Sequence, residues 1–167
     1  MPTVCRLLRL PADGGTALIA APGNLAQSVE SARIHSDVYR YWHAIQYLLA
    51  QHRPTAPASH WLTLGHELSA GTADIPAARV LLPGEVGPLD SVLREVEPDD
   101  LIPHYDADAM DRAGIYPRSW IVWEETFDPL GQVLEHYSFL QSFVRQCADA
   151  GDALLLLFEF VDDGSDD

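Results

Sequence analysis

DPLGQVLEHYSFLQSFVRQCADAGDALLLLFEF, residues Asp128 to Phe160, carries the reading that decides the fold. Proline suits the first turn of a helix, where its missing N–H would have no intrahelical partner, so Asp128-Pro129 marks a helix start. From there Leu130, Val133, Leu134, Tyr137, Leu140, Val144 and Cys147 recur at steps of three and four up to Gly151, the stripe of a long amphipathic helix. After Gly151 the pattern changes. The unbroken apolar run Ala153 to Phe158 predicts a strand buried on both faces. A long helix feeding a doubly covered strand points to an α+β fold: one domain over residues 1–161, a small mixed sheet packed against several helices, and an acidic, disordered tail over 162–167.

Upstream lies HYDADAMDRAGIYP, His104 to Pro117, a segment whose shape local chemistry fixes. Asp106 offers a carboxylate to the free amides at the start of a short helix, and Asp108 adds negative charge to the positive end of its dipole. Gly114 stops the helix by taking the left-handed conformation, with Ile115 folding back onto apolar surface. Tyr116-Pro117 leaves extended, because a residue before proline avoids helical dihedrals.

The remaining elements follow from periodicity and breakers. Val4 to Leu10 reads as a strand that Pro11 and Asp13-Gly14-Gly15 end, and Leu18 to Ala32 as one or two short helices broken by Pro22-Gly23. Tyr39 to Gln51 reads as a helix with Tyr41, Ile45, Leu48 and Leu49 on one face. Trp61 to Leu68 is ambiguous between helix and strand. Arg79 to Leu82 is a short strand; Val86, Leu89, Leu93 and Val96 lie at helical spacing, and Pro98 starts another helix. Ser119 to Trp123 has the apolar content of an edge strand.

Four segments together resemble a known family: the His104 to Pro117 corner, YRYWHAIQYLLA (Tyr39 to Ala50), AARVLLPGEV (Ala77 to Val86) and FLQSFVRQCADAGDALLLLFEF (Phe139 to Phe160). They are similar to the YfbM-like family of small bacterial proteins, a domain of unknown function. The resemblance implies an aromatic-rich helix with a Trp-His pair, a small-small-Arg strand before a Pro-started helix, and a Tyr-Asp-x-x-Ala-Met corner ending in Ile-Tyr-Pro. It covers roughly residues 36 to 160 and implies an α+β single domain with no assigned activity. The chain departs from the family pattern at HELSAGTADIP, where relatives tend to be Gly-rich, and by adding SWIVWEETFDP over 119–129.

Composition narrows the function classes. Ten basic and 25 acidic residues leave a net charge of −15, and all ten basic residues are Arg. Nucleic-acid affinity is driven by phosphate contacts, so neither DNA nor RNA is an expected partner. The absence of Lys removes Schiff-base chemistry and the phosphate-loop lysine. MPTVCRLLRLPADGG lacks the apolar run of a secretory leader, and no stretch reaches membrane-spanning length, so a soluble cytoplasmic protein without a membrane partner is expected. Cys5 and Cys147 are expected as reduced core thiols.

No nucleophile elbow, phosphate loop, dinucleotide fingerprint, HExxH or CxxC occurs, and no His pair has the four-residue spacing of a helical metal site. Neither cofactor nor metal is expected. Two groups of residues remain as candidates. Trp42, His43, Arg79, Asp106, Tyr116 and Trp120 would form a ligand cleft beside the corner, with His43 exchanging a proton and Arg79 clamping an anion. The plain alternative has Trp42 packing on the sheet, His43 satisfying a backbone carbonyl, and Arg79 ion-paired with an acidic residue of the corner.

The second group is an acidic face. Glu95, Glu97, Asp99 and Asp100 begin a run through Asp111 that contains no Lys or Arg, and Asp162, Asp163, Asp166 and Asp167 end the chain. Such a face keeps a protein soluble or docks a basic partner. The function expected is therefore a non-enzymatic acidic protein-binding domain, immunity- or inhibitor-like, with a small-molecule binder or unrecognised enzyme using the Trp/His/Arg cleft as the alternative. Oligomeric state stays open, although the amphipathic terminal helix offers a self-association face.

Overall fold

The computed structural model describes residues 3–32, 34–69 and 77–160. Five strands, β1 (Thr3–Leu10), β2 (His35–Tyr39), β3 (His66–Ser69), β4 (Ala77–Leu81) and β5 (Ala153–Phe160), form one sheet in the order β2-β1-β5-β4-β3. The apolar run at the chain's end is the central strand. It pairs along its whole length with β1 and over five residues with β4.

Every pairing among the described residues is antiparallel, where a mixed sheet was expected. The register gives the reason: Leu154 opposes both Arg9 near the end of β1 and Leu81 at the end of β4. Because β5 enters beside the finish of both neighbours, it must run against each.

Side chains alternate across the sheet, and both faces are covered. On one face Leu154 and Leu156 join Cys5, Leu7 and Leu81 in the larger core, with α3 (Trp42–His52), α4 (Pro83–Leu93), α5 (Ala107–Arg112), α6 (Trp120–Glu124) and α7 (Pro129–Ala150). On the other, Ala153, Leu155 and Leu157 join Leu8, Leu10, Ala78 and Val80 beneath α1 (Ala12–Ala20) and α2 (Leu25–Ser31). Burying each leucine stabilises the fold by ~1.5–3 kcal/mol relative to leaving it exposed.

The 22-residue α7 starts and stops as its sequence dictates. The Asp128 carboxylate accepts the Gly131 N–H at 2.9 Å. Gly151 turns left-handed at φ 67°, which lets Asp152 N–H donate to Cys147 C=O at 3.0 Å. The corner at α5 repeats this grammar: Asp106 accepts from Ala109 N–H at 2.9 Å, Gly114 sits at φ 67°, and Ile115 N–H donates to Met110 C=O at 3.0 Å. Ile115 is buried as expected, and the Tyr116–Pro117 peptide is cis.

Several local expectations change. Strand β2 was not anticipated, because only Val38 of its five residues is buried and no apolar alternation marks it. Consequently Tyr39 ends a strand, at φ 48°, and α3 begins at Trp42. Helix α1 already starts at Ala12 and runs through Gly14 and Gly15, where the sequence suggested only a turn. Tight packing explains the Gly at 15: a Cβ there would stand 2.6 Å from that of Ala153. The ambiguous stretch resolves into a 3₁₀ segment, Pro57–Thr63, followed by β3.

In place of an edge strand, Trp120 to Trp123 lie in helix α6, preceded by Ser119 at φ 63°. The Asp111 carboxylate accepts the N–H groups of Trp120 at 2.9 Å and Ile121 at 3.2 Å, capping α6 from nine residues upstream. Trp120 and Trp123, three apart, then pack edge-on at 5.4 Å. The expected tail over 162–167 and most of the departure at HELSAGTADIP, residues 70–76, lie outside the described residues.

Because both faces of β5 are sealed, Leu155→Ala and Leu156→Ala should each destabilise the protein by ~2–5 kcal/mol, whichever core they belong to. Urea unfolding of the two variants checks this; a near-neutral result at Leu155 would mean that the α1–α2 face is not a working core.

Candidate functional site

The six candidate cleft residues divide into a group that meets and others that serve different purposes. Trp42 and His43 open α3, while Tyr116 follows the capped corner. Their rings form one stack: Trp42 lies on His43 at 5.3 Å and 11°, and on Tyr116 at 5.4 Å and 18°. Phe158 of β5 meets Trp42 edge-on at 5.5 Å. The stack is tied to the start of β1 by two hydrogen bonds, Trp42 Nε1–H to Thr3 C=O at 3.1 Å and Thr3 N–H to the Tyr116 hydroxyl at 2.6 Å.

His43 is fixed in one state by its partner. Tyr116 N–H donates to Nδ1 of His43 at 3.0 Å, and a backbone amide has only a proton to give. Nδ1 must therefore be the bare nitrogen, and the neutral ring carries its proton on Nε2. Burial pushes the imidazole below the usual 6.5. The ring satisfies a backbone amide, where the alternative reading had a carbonyl in that place.

Arg79 takes no part in the stack. On β4 its guanidinium turns toward residues 63–67: Nε donates to Leu64 C=O at 2.9 Å, Nη2 to the carbonyls of Thr63 and Gly65 at 2.9 and 3.0 Å, and Nη1 pairs with Glu67 at 3.1 Å. The planar fork gathers the carbonyls of three consecutive residues, Thr63, Leu64 and Gly65. Its acidic partner thus lies on β3, outside the corner. Asp106 is occupied with capping α5. Trp120 is fully buried beneath Tyr41 and Tyr105, its indole N–H given to Ile115 C=O at 2.9 Å.

The acidic face is better assembled. Glu95, Glu97, Asp99 and Asp100 are exposed around a 3₁₀ segment, Pro98–His104, and Ile102 stands 43% exposed among them. Asp100 accepts Glu97 N–H at 2.9 Å, and Glu95 pairs with Arg53 at 2.6 Å. Helix α7 anchors the backbone beneath: the Tyr137 hydroxyl and the Gln141 amide both donate to the carbonyls of Leu93 and Val96 at 2.8–3.2 Å. Burial, then the nearby Glu97 and Asp100, raises the Tyr137 phenol, so it stays a donor.

Elsewhere the chemistry is quiet. Cys5 and Cys147 are free and buried; burial pushes the Cys5 thiol well up and that of Cys147 up to about 12, so neither is a ready nucleophile. Among the described residues no group of three or more His, Cys, Asp or Glu side chains is placed to hold a metal ion. No described helix is long and apolar enough to cross a membrane.

A family model described as a domain of unknown function, DUF1877, matches residues 1–157. The chain belongs to the DUF1877 family. The crystal structure of YfbM from Escherichia coli, a protein of unknown function, resembles it with a TM-score of 0.68 at 13% identity, over 93% of this chain and 99% of that one. At that identity the likeness shows the fold alone, and it agrees with the resemblance read from the corner. No curated protein matches.

Within the DUF1877 fold of this chain, Arg79 should act as a structural fork. Arg79→Lys removes the planar donors and should lower stability by ~1–3 kcal/mol, although charge is kept; thermal and urea unfolding check it, and full retention of stability would return Arg79 to the list of free anion clamps.

His43 makes a prediction about pH. Its folded value is depressed, so the unfolded chain takes up this proton first; the stability it contributes is complete above about 6.5 and is lost as pH falls through the folded value. Urea titrations between about pH 7 and 5 should show a shallower loss for His43→Gln than for the wild type. Equal slopes would show that Nδ1 is not held as an obligatory acceptor.

Proposed function

We propose that this chain is a non-enzymatic protein-binding domain of the cytoplasm, immunity- or inhibitor-like, that presents an acidic face to a basic partner. The observation that supports the reading is the exposure of Glu95, Glu97, Asp99 and Asp100 around Ile102 on a backbone anchored by Tyr137 and Gln141. Like charges on a fixed platform attract a positive surface over a distance and set its orientation, while a central apolar side chain is available for close contact. Asp108 and Asp111, further along the acidic run, are engaged with Arg112 and with the start of α6. Glu95 is likewise paired with Arg53, so the docking charge rests on Glu97, Asp99 and Asp100, before His104.

The alternative ligand cleft keeps only the Trp42–His43–Tyr116 stack. Its anion clamp is engaged elsewhere, and the imidazole's Nδ1 is already an acceptor for Tyr116. For that reason we favour the acidic face.

Because Asp100 caps the 3₁₀ segment, the informative charge reversals are Glu97→Arg and Asp99→Arg. A tagged pulldown at low and moderate salt should recover a basic protein with the wild type and lose it with the double variant. Its association rate should fall ~10-fold or more as salt is raised. A partner whose capture ignores both the reversals and salt, or no partner for a folded protein, overturns the proposal.

A further inference from the structure

At the end of the acidic segment, two histidines from distant parts of the chain meet. His52 closes α3 and His104 closes the 3₁₀ segment, and Nδ1 of His52 stands 3.2 Å from Nε2 of His104 with ring centroids 5.2 Å apart. With metal–nitrogen distances near 2.1 Å, two imidazoles on one ion have nitrogens ~3.4 Å apart in tetrahedral and ~3.0 Å apart in cis-octahedral geometry. The observed separation lies between these values. We propose that His52 and His104 form an open two-histidine site for a borderline divalent cation, of the zinc, nickel or copper type.

Three features favour this. First, the backbone that carries the pair is held: next to His52 the Ser59 hydroxyl reaches the carbonyls of Leu49 and Arg53. On the other side, Tyr105 N–H closes onto Ile102 C=O at 3.2 Å. Second, both rings are partly exposed, so water or a partner's side chain can complete the coordination. Third, with Glu95 paired to Arg53, the exposed carboxylates of Glu97, Asp99 and Asp100 raise the local cation concentration. In the metal-free protein one imidazole donates a proton to the other. Binding requires both rings neutral with protons on their outer nitrogens, His52 Nε2 and His104 Nδ1, a tautomer change that solvent mediates. With only two protein ligands, the site binds reversibly and prefers imidazole-seeking ions over magnesium or calcium.

The test is calorimetric titration of the untagged protein with Zn²⁺ or Ni²⁺, beside His52→Ala, His104→Ala and the exposed control His60→Ala. One equivalent should bind the wild type and the control, with ~10-fold or greater weakening in each pair variant. Nitrogen-15 spectra of the wild-type imidazoles should shift at His52 Nδ1 and His104 Nε2. This readout stands even if a variant fails to fold. No binding, binding that ignores both substitutions, or shifts confined to other histidines overturns the proposal.

Discussion

A strand that is apolar on both faces needs a hydrogen-bonding neighbour on each edge and a covering layer above and below. β5 imposes that requirement here. With β1 and β4 on its edges, its main chain is paired, and the two cores that cover it take in most of the other elements. The remaining architecture follows: α1 and α2 seal one face, α3 to α7 seal the other, and strands β2 and β3 are left at the edges. Antiparallel pairing on both sides comes from β5 entering beside the ends of its neighbours.

Carboxylates do much of the local shaping. Asp106 and Asp128 each cap the helix that follows, Asp100 closes a 3₁₀ turn, Asp111 starts α6 from a distance, and Glu85 accepts Leu82 N–H at 2.8 Å. The acidity of this chain is thus partly a device for satisfying free amides, which ionised side chains do well at positive helix ends. Which carboxylates serve the backbone in this way and which, such as Asp99 beside Ile102, stand exposed could not be read by counting charges.

The aromatic corner has the opposite character. Trp42, His43 and Tyr116 look like ligand-binding residues when taken together, yet the Trp42 indole and the Tyr116 hydroxyl bond to Thr3, and Nδ1 of His43 accepts from Tyr116. They lock the start of β1 to the entrance of α3 and to the corner. The same residue types that recognise ligands also make good internal joints, because each joins a broad apolar surface to one directional hydrogen bond.

Periodicity and capping chemistry determined α7, β5 and the α5 corner from sequence alone, since each is fixed by contacts within a few residues or by an unmistakable apolar pattern. They also carried the family resemblance. β2 was silent because one buried side chain writes no pattern, and α6 was misleading because its cap, Asp111, acts across nine residues while Ser-Trp-Ile-Val-Trp has strand-like composition. The site was less legible still. Tertiary structure alone decided that Arg79 serves the 63–67 carbonyls, that Tyr116 dictates the tautomer of His43, and that His52 meets His104 across 52 residues. Local chemistry is written in neighbouring residues, whereas the partner of a polar side chain is chosen by the path of the backbone that brings a distant donor or acceptor within hydrogen-bond reach.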